Sequence, residues 1–327
     1  MNSSTSSSEN PRKSLWSSSE WKVLLILALL LLSTEITLRL IEQRLSIDVA
    51  HIRSAPQLAA SISTADGASK EALKILFIGN SSIREGIVPE QLVSEFKTRY
   101  GREVRPYFFY PDGGSIMSWR WAWRRYFSDP SCRPDLVVIC GGTSHFDDGN
   151  TEPRVAGSYF VSSKDALTFA STELPNTESR LEFMMAKTSV SYASRRRVQR
   201  RVMDILMPYN RTVLFEISTL AEKKAAKSKT DSPPTSKRLK SLLEDIRARH
   251  LQAVVVTVPN LNLYDVPEDR VRTIAEAGAY FADLRAVEGI TAAHFFDKAH
   301  LDEKGAEIFT RALCSSLNQA LTQPPKP

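Results

Sequence analysis

Two short stretches of this sequence hold residue types that could do nucleophilic chemistry together. Near the C-terminus, Asp297-Lys298-Ala299-His300-Leu301-Asp302 places a carboxylate three residues before a histidine. On a loop, such a carboxylate accepts the imidazole's Nδ1 proton, which fixes the tautomer and leaves Nε2 free as a base. Far upstream, Gly79-Asn80-Ser81-Ser82 offers a hydroxyl just beyond a glycine that permits a tight turn. Asp-x-x-His pairs are frequent on surfaces, and Gly, Asn and Ser are favoured in ordinary turns. Their weight comes from where they sit among the elements.

LKILFI at 73–78 is an apolar run that suits a buried strand, so Ser81 stands just past a strand end. Pro89 opens a helix with Leu92, Val93 and Phe96 on one face, and Gly101 stops it. Residues 104–110 predict a second strand, followed by the turn Pro111-Asp112-Gly113-Gly114 and a helix from Ile116. LVVIC at 136–140 is a third strand ending at Gly141-Gly142, and AVVVTV at 253–258 is a fourth closed by Pro259. The helix before the fourth strand puts Leu239, Leu242, Leu243 and Ile246 on one face. Residues 294–296 predict a short strand, and Asp302 caps a final helix with a core stripe of Phe309, Leu313 and Leu317. Strands separated by helices predict an α/β fold, a three-layer α/β/α sandwich around a short parallel sheet. In such sheets functional groups gather at the carboxyl ends of the strands, where all of these loops lie.

In order and context these stretches resemble the SGNH (GDSL-like) hydrolases, over about residues 74–321. The resemblance implies a serine ester hydrolase with Ser81 as nucleophile, completed by Asp297 and His300 as a Ser-Asp-His triad. It implies no metal and no cofactor. It also implies an oxyanion hole built from the N–H groups of Ser81 and Gly114. The family's third block is Gly-x-Asn-Asp, but here Gly142-Thr143-Ser144-His145 puts Ser144 in the asparagine position. A hydroxyl is a shorter donor than an amide, and one lost oxyanion donor costs about 10²–10³ in kcat. Asn80 replaces the aspartate usual before the serine. Exported members of the family work on cell-envelope polysaccharides, some moving O-acetyl groups. The expectation is therefore an esterase for O-acyl groups, acetyl foremost, of an envelope saccharide. An O-acyltransferase on the same fold, or a non-catalytic tethered scaffold with a decayed site, are the alternatives.

The chain has 327 residues, 42% hydrophobic and 24% charged, enough to bury a core and unlike a wholly disordered or multi-span protein. The 43 basic and 37 acidic residues leave a diffuse net charge of +6, which does not point to nucleic acid. Cys132, Cys140 and Cys314 form no C-x-x-C pair, so neither a disulfide framework nor a thiolate metal site is expected. Ser-rich residues 1–20 read as a disordered cytoplasmic tail and residues 21–41 as a transmembrane signal anchor, the latter roughly 31 Å long as a helix. Glu35 and Arg39, at i and i+4, are expected to pair and snorkel, and Trp16 and Trp21 to lie at the inner boundary. Arg12, Lys13 and Lys22 precede the span, which puts the N-terminus in the cytoplasm and the domain outside, in the periplasm or at the surface of a bacterium. A cleaved signal peptide is the alternative, although no small-x-small site follows; both readings export the domain. Residues 42–72 read as a tether, 73–321 as the hydrolase domain with a mostly helical insertion over 143–235, and 322–327 as a tail. The expected partners are the membrane, an acylated saccharide or other ester, and a membrane acyltransferase.

Other groups carry weaker signals. His145-Phe146-Asp147-Asp148 could supply metal ligands or simply be a polar loop. Trp119 and Trp123 share one helix face and read as core, which leaves Trp121 as the candidate for exposure and for stacking on sugar rings. The basic cluster from Arg195 to Arg201 is either a docking surface for anionic glycan or lipid headgroups or a solvated helix face. Asn210-Arg211-Thr212 is a glycosylation sequon only in a eukaryotic host.

Overall fold

The apolar runs are continuous rather than alternating because the sheet they form is covered on both faces. The computed structural model describes residues 19–64, 72–149, 151–207 and 235–323. Its sheet consists of β1 (Leu73–Ile78), β2 (Val104–Phe109), β3 (Leu136–Gly141), β4 (Gln252–Thr257) and β5 (Tyr280–Asp283). The strand order is β2-β1-β3-β4-β5 and every pairing is parallel, with Ile78 opposite Phe109 and Ile139, and Val138 opposite Val254. The chain steps from β1 outward to β2 and then back across to β3, so the winding reverses between β1 and β3. That reversal opens a crevice beyond the carboxyl ends of these two strands.

Helices α1 (Ser19–Leu45), α2 (Ile47–Arg53) and α3 (Ala55–Thr64) precede the sheet; α4 (Ser81–Gly86) and α5 (Pro89–Tyr100) follow β1. Next come α6 (Ile116–Ala122), α7 (Pro153–Val155), α8 (Ala166–Thr172), α9 (Thr177–Thr188) and α10 (Val190–Leu206). The last three are α11 (Lys237–Arg247), α12 (Glu268–Glu276) and α13 (Glu303–Thr322). Alternate strand residues feed two cores. Leu76, Ile78, Val137, Ile139 and Val255 pack with α2, α3, α6, α11 and α12. Ile75, Phe77, Val138, Cys140 and Val256 pack with α4, α5 and α13 on the other face. The expected three-layer α/β/α sandwich is the observed architecture.

Three expectations need correction. The fifth strand is β5, a four-residue edge strand, while residues 292–294 make a 3-10 turn and Phe295 forms only an isolated antiparallel bridge with Leu301. Trp121 is not exposed: it is 1% accessible, edge-on to Phe169, because α6 is buried on every side. Residues 47–64, expected within the tether, are helices whose Val49, Ile52, Ala55, Ala59 and Ile62 are all buried in the first core. Their spacing of three to four residues is helical, but small alanines among them blunt the pattern.

α1 is the one described helix long and apolar enough to cross a membrane, and its apolar side chains from Val23 to Leu32 are exposed. Glu35 and Arg39 do pair, at 2.9 Å, but Glu35 does not snorkel. Its carboxylate accepts the N–H groups of Val190 and Ser191 and the hydroxyls of Ser189 and Ser191 at the start of α10. An anionic side chain there satisfies orphan donors and complements the helix dipole. Two helical turns further on, Glu42 is buried and accepts bonds from Tyr159 and Arg53. The last part of α1 is thus a packed element of the domain. The tail over 1–18, the sequon and most of the Lys/Ser/Pro-rich stretch lie outside the described residues.

Candidate active site

Ser81 is the first residue of α4, immediately after the β1 end. Asn80 caps that helix, its side-chain oxygen accepting the Ser82 N–H at 3.0 Å, while its amide donates to the Gly114 carbonyl at 3.3 Å. An aspartate could make the first bond but not the second. Gly79 is required by close approach, since a Cβ there would lie 2.9 Å from the Cys140 carbonyl on β3. The indole of Trp119 donates to the Gly79 carbonyl at 2.6 Å and braces the turn from below.

Asp297 and His300 sit on a tight turn after the 3-10 segment. The Phe296 N–H donates to the His300 carbonyl at 3.1 Å and the Asp302 N–H to the His294 carbonyl at 2.8 Å, which closes the turn. Asp302 caps α13 by accepting the Gly305 N–H at 2.8 Å. α13 and the residue Leu301 before it in turn hold the helix that carries Ser81: Leu301 and Phe309 share a core with Ile83 and Ile87, and the Val88 N–H donates to Thr310 Oγ1 at 3.0 Å.

The result is a chain of hydrogen bonds. Asp297 Oδ1 accepts the N–H groups of Ala299 and His300, each at 2.8 Å, and Oδ2 faces His300 Nδ1 at 2.7 Å. With a carboxylate on Nδ1, that nitrogen carries the proton, so Nε2 is an acceptor. Ser81 Oγ lies 2.9 Å from it. Partial burial works against the Asp297 charge, but the Ala299 N–H, the His300 ring and the His300 N–H outweigh it and hold the carboxyl below its ordinary range. The Asp297 side chain is 47% exposed and that of His300 23%, so the pair is reached from solvent.

The oxyanion residues fare unevenly. The Gly114 N–H, expected to point into the cleft, instead donates to the Pro111 carbonyl at 2.9 Å. The tight turn and the Trp119 indole produce this: a Cβ on Gly114 would lie 2.8 Å from both the Pro111 oxygen and Trp119 Nε1. Ser144 is exposed within a 3-10 turn at the β3 carboxyl end, on the β3 side of the crevice. His145 caps that turn, its Nδ1 accepting the Gly142 N–H at 3.1 Å, and burial lowers its pKa. The metal-ligand reading of 145–148 fails for this reason. Asp147 pairs with the buried Arg270, and Asp148 accepts the N–H groups of Lys237 and Arg238 at the start of α11. No cluster of His, Cys, Asp and Glu suited to a metal occurs among the described residues.

Sequence reasoning missed the groups that hold the 110–114 loop. From α2, Asp48 accepts the Asp112 N–H at 2.7 Å, and His51 Nε2 accepts the Tyr110 N–H at 2.9 Å while stacking on the Tyr110 ring at 4.1 Å. From α4, Arg84 binds Asp112 at 2.6 Å. Asp48 and His51 are three apart, hence on one helix face, which was the available signal. Within the basic cluster, Arg195 pairs with Glu182 and lies over Tyr192, and Arg197 donates to the Tyr159 hydroxyl, so these two brace α10 rather than stand free.

No protein-family model matches the sequence, and no curated protein matches it significantly. Among solved structures, the chain is similar to an acetylxylan esterase from Geobacillus stearothermophilus, at 13% identity over 76% of this chain and 96% of that one, with a TM-score of 0.38. It is also similar to a GDSL-like lipase from Bacteroides thetaiotaomicron, at 14% identity over 83% of this chain and 98% of that one, with a TM-score of 0.36.

Proposed function

We propose that this chain is a serine esterase of the SGNH type, anchored by α1 and facing the extracytoplasmic side, that removes O-acyl groups, acetyl foremost, from an envelope saccharide. The observation that carries the reading is the continuous relay Asp297–His300–Ser81, with contacts of 2.7 and 2.9 Å at the mouth of the strand-reversal crevice. In this mechanism Ser81 Oγ attacks the ester carbonyl as its proton passes to His300 Nε2, and Asp297 stabilises the imidazolium. The proton then goes to the departing alcohol oxygen, leaving an acyl-serine. A second nucleophile, deprotonated by the same nitrogen, releases the acyl group. Water makes the protein an esterase, and a sugar hydroxyl would make it an acyltransferase.

The Ser81 N–H at the start of α4 and the Ser144 hydroxyl are the oxyanion donors in this scheme. Gly114 joins them only if its turn rotates away from the Pro111 carbonyl. That requirement favours a modest rate and, together with Ser144 and His145 in the third block, speaks for the scaffold alternative. Topology rests on the exposed apolar half of α1 and the basic residues before it.

Labelling full-length protein with a fluorophosphonate tests the reading directly. Wild type should form a covalent adduct that Ser81→Ala abolishes. An unlabelled wild type that hydrolyses no acetyl ester would leave the scaffold alternative standing. A phosphatase reporter after Pro327 should be active, and a cytoplasmic C-terminus would overturn the exported reading.

A further inference from the structure

Phe296 is 61% exposed although it neighbours the relay directly. Its ring runs nearly parallel to the His300 imidazole and is offset from it, with centroids 5.5 Å apart and planes 10° from parallel. The bond from its N–H to the His300 carbonyl fixes the backbone from which it projects. The imidazole therefore meets only the margin of the ring, and most of the ring is open to solvent. The loop after β4 adds apolar surface: Leu261 is 40% and Leu263 70% exposed, and the Leu261 N–H donates to the Lys298 carbonyl at 3.1 Å, within the same turn. Single exposed apolar side chains need no explanation, but Phe296 within the turn and Leu261 bonded to it expose apolar surface beside the candidate relay, which marks a binding surface.

Proton transfer says which part of a substrate meets that surface. His300 Nε2 must deliver its proton to the departing alcohol oxygen, so the alcohol half of the ester lies on the histidine side of Ser81 and the acyl half away from it. A flat aromatic face beside the base complements a ring whose C–H groups point at it, because the π face is electron-rich and the contact excludes water. We propose that the open face of Phe296 is the platform for the alcohol half of the ester and that this half is a pyranose presenting its C–H face. The inference rests on the serine-esterase reading and narrows it to the subsite that receives the sugar.

The test uses full-length protein in detergent and two acetates that share the acyl group, an O-acetylated methyl glucopyranoside and 2-methoxyethyl acetate. Phe296→Ala should raise KM for the pyranoside about tenfold, about 1.4 kcal/mol, and leave kcat/KM for the acyclic ester within about twofold. Phe296→Trp should keep the wild-type KM for the pyranoside. Equal losses of kcat on both esters, with a displaced pH profile, would mean that the ring only supports His300 and would overturn the proposal. So would a defect that follows acyl length, acetate against butyrate on the same sugar. Binding separates this inference from the reading beneath it. In a Ser81→Ala background, adding Phe296→Ala should raise the Kd for the acetylated pyranoside about tenfold by NMR titration. An unchanged Kd overturns the platform whether or not any ester is turned over. Retained, Phe296-dependent binding without wild-type turnover would overturn the esterase reading alone.

Discussion

His300 Nε2 faces Ser81 Oγ at 2.9 Å across 219 residues of sequence. No local preference brings them together. α13 does, because Leu301 and Phe309 share a core with Ile83 and Ile87 while Thr310 accepts the Val88 N–H.

If Ser81 and His300 act as one proton-transfer unit, as proposed, their losses should not multiply. Ser81→Ala and His300→Ala should each lower kcat on a small acetyl ester by about 10⁴–10⁶, and the double variant should be scarcely worse. Neither should move the melting temperature by more than a few degrees, since both side chains lie at the surface end of the crevice. Full activity in Ser81→Ala would remove it as nucleophile.

Asp297 has a signed pH dependence. Its folded pKa is below its unfolded value, so its stabilising effect is complete above the ordinary carboxylate range, near 4, and fades as pH falls through the folded value. The melting temperature of wild type should exceed that of Asp297→Asn by a small, constant margin between about pH 5 and pH 7. The margin should shrink below about pH 4. Solvent exposure of the side chain keeps the effect modest. A margin that grows on acidification would contradict the assignment.

With the Gly114 N–H held by Pro111, Ser144, proposed as an oxyanion donor, should matter more than usual if that role is right. Ser144→Asn supplies a longer amide donor and should raise kcat with KM little changed, by up to about 10²-fold. Ser144→Ala should lower kcat. Steady-state kinetics of the three forms against Ser81→Ala as the blank decide it: identical rates above the blank would make Ser144 a bystander.

The helices α2 and α3 that follow α1 are core rather than spacer. Ile52 is 1% exposed, and Ile52→Ala should cost about 2–5 kcal/mol in urea unfolding. A shortened chain starting at residue 65 should unfold cooperatively only at much lower urea than one starting at residue 46. Equal midpoints would restore residues 47–64 to the role of a tether.

Four of the five strands, the helices from Pro89, from Ile116, before β4 and after Asp302, and the strand-end position of the relay were legible in the sequence. Buried parallel strands such as LVVIC and AVVVTV are continuous apolar runs, and Asp302 before Phe309, Leu313 and Leu317 is a capped amphipathic helix. These signals are local, so they survive without knowledge of neighbours. β5 escaped notice because a four-residue edge strand with one partner has little pattern to show. The tether was misread because Ala55 and Ala59 look neutral until a facing surface makes them core.

The sequence alone placed a carboxylate, a histidine and a serine on loops and attached an apolar helix before them. Only the tertiary structure decided which backbone donors those loops present. Whether the Gly114 N–H faces the cleft or the Pro111 carbonyl depends on Trp119, Asn80, Asp48 and His51, which come from three separate segments to grip one turn. The same holds for Glu35, a charge that the sequence assigned to the membrane boundary and the fold turned into the cap of α10. Side-chain type and spacing are written in the chain, but the partner that satisfies a polar group is chosen by packing.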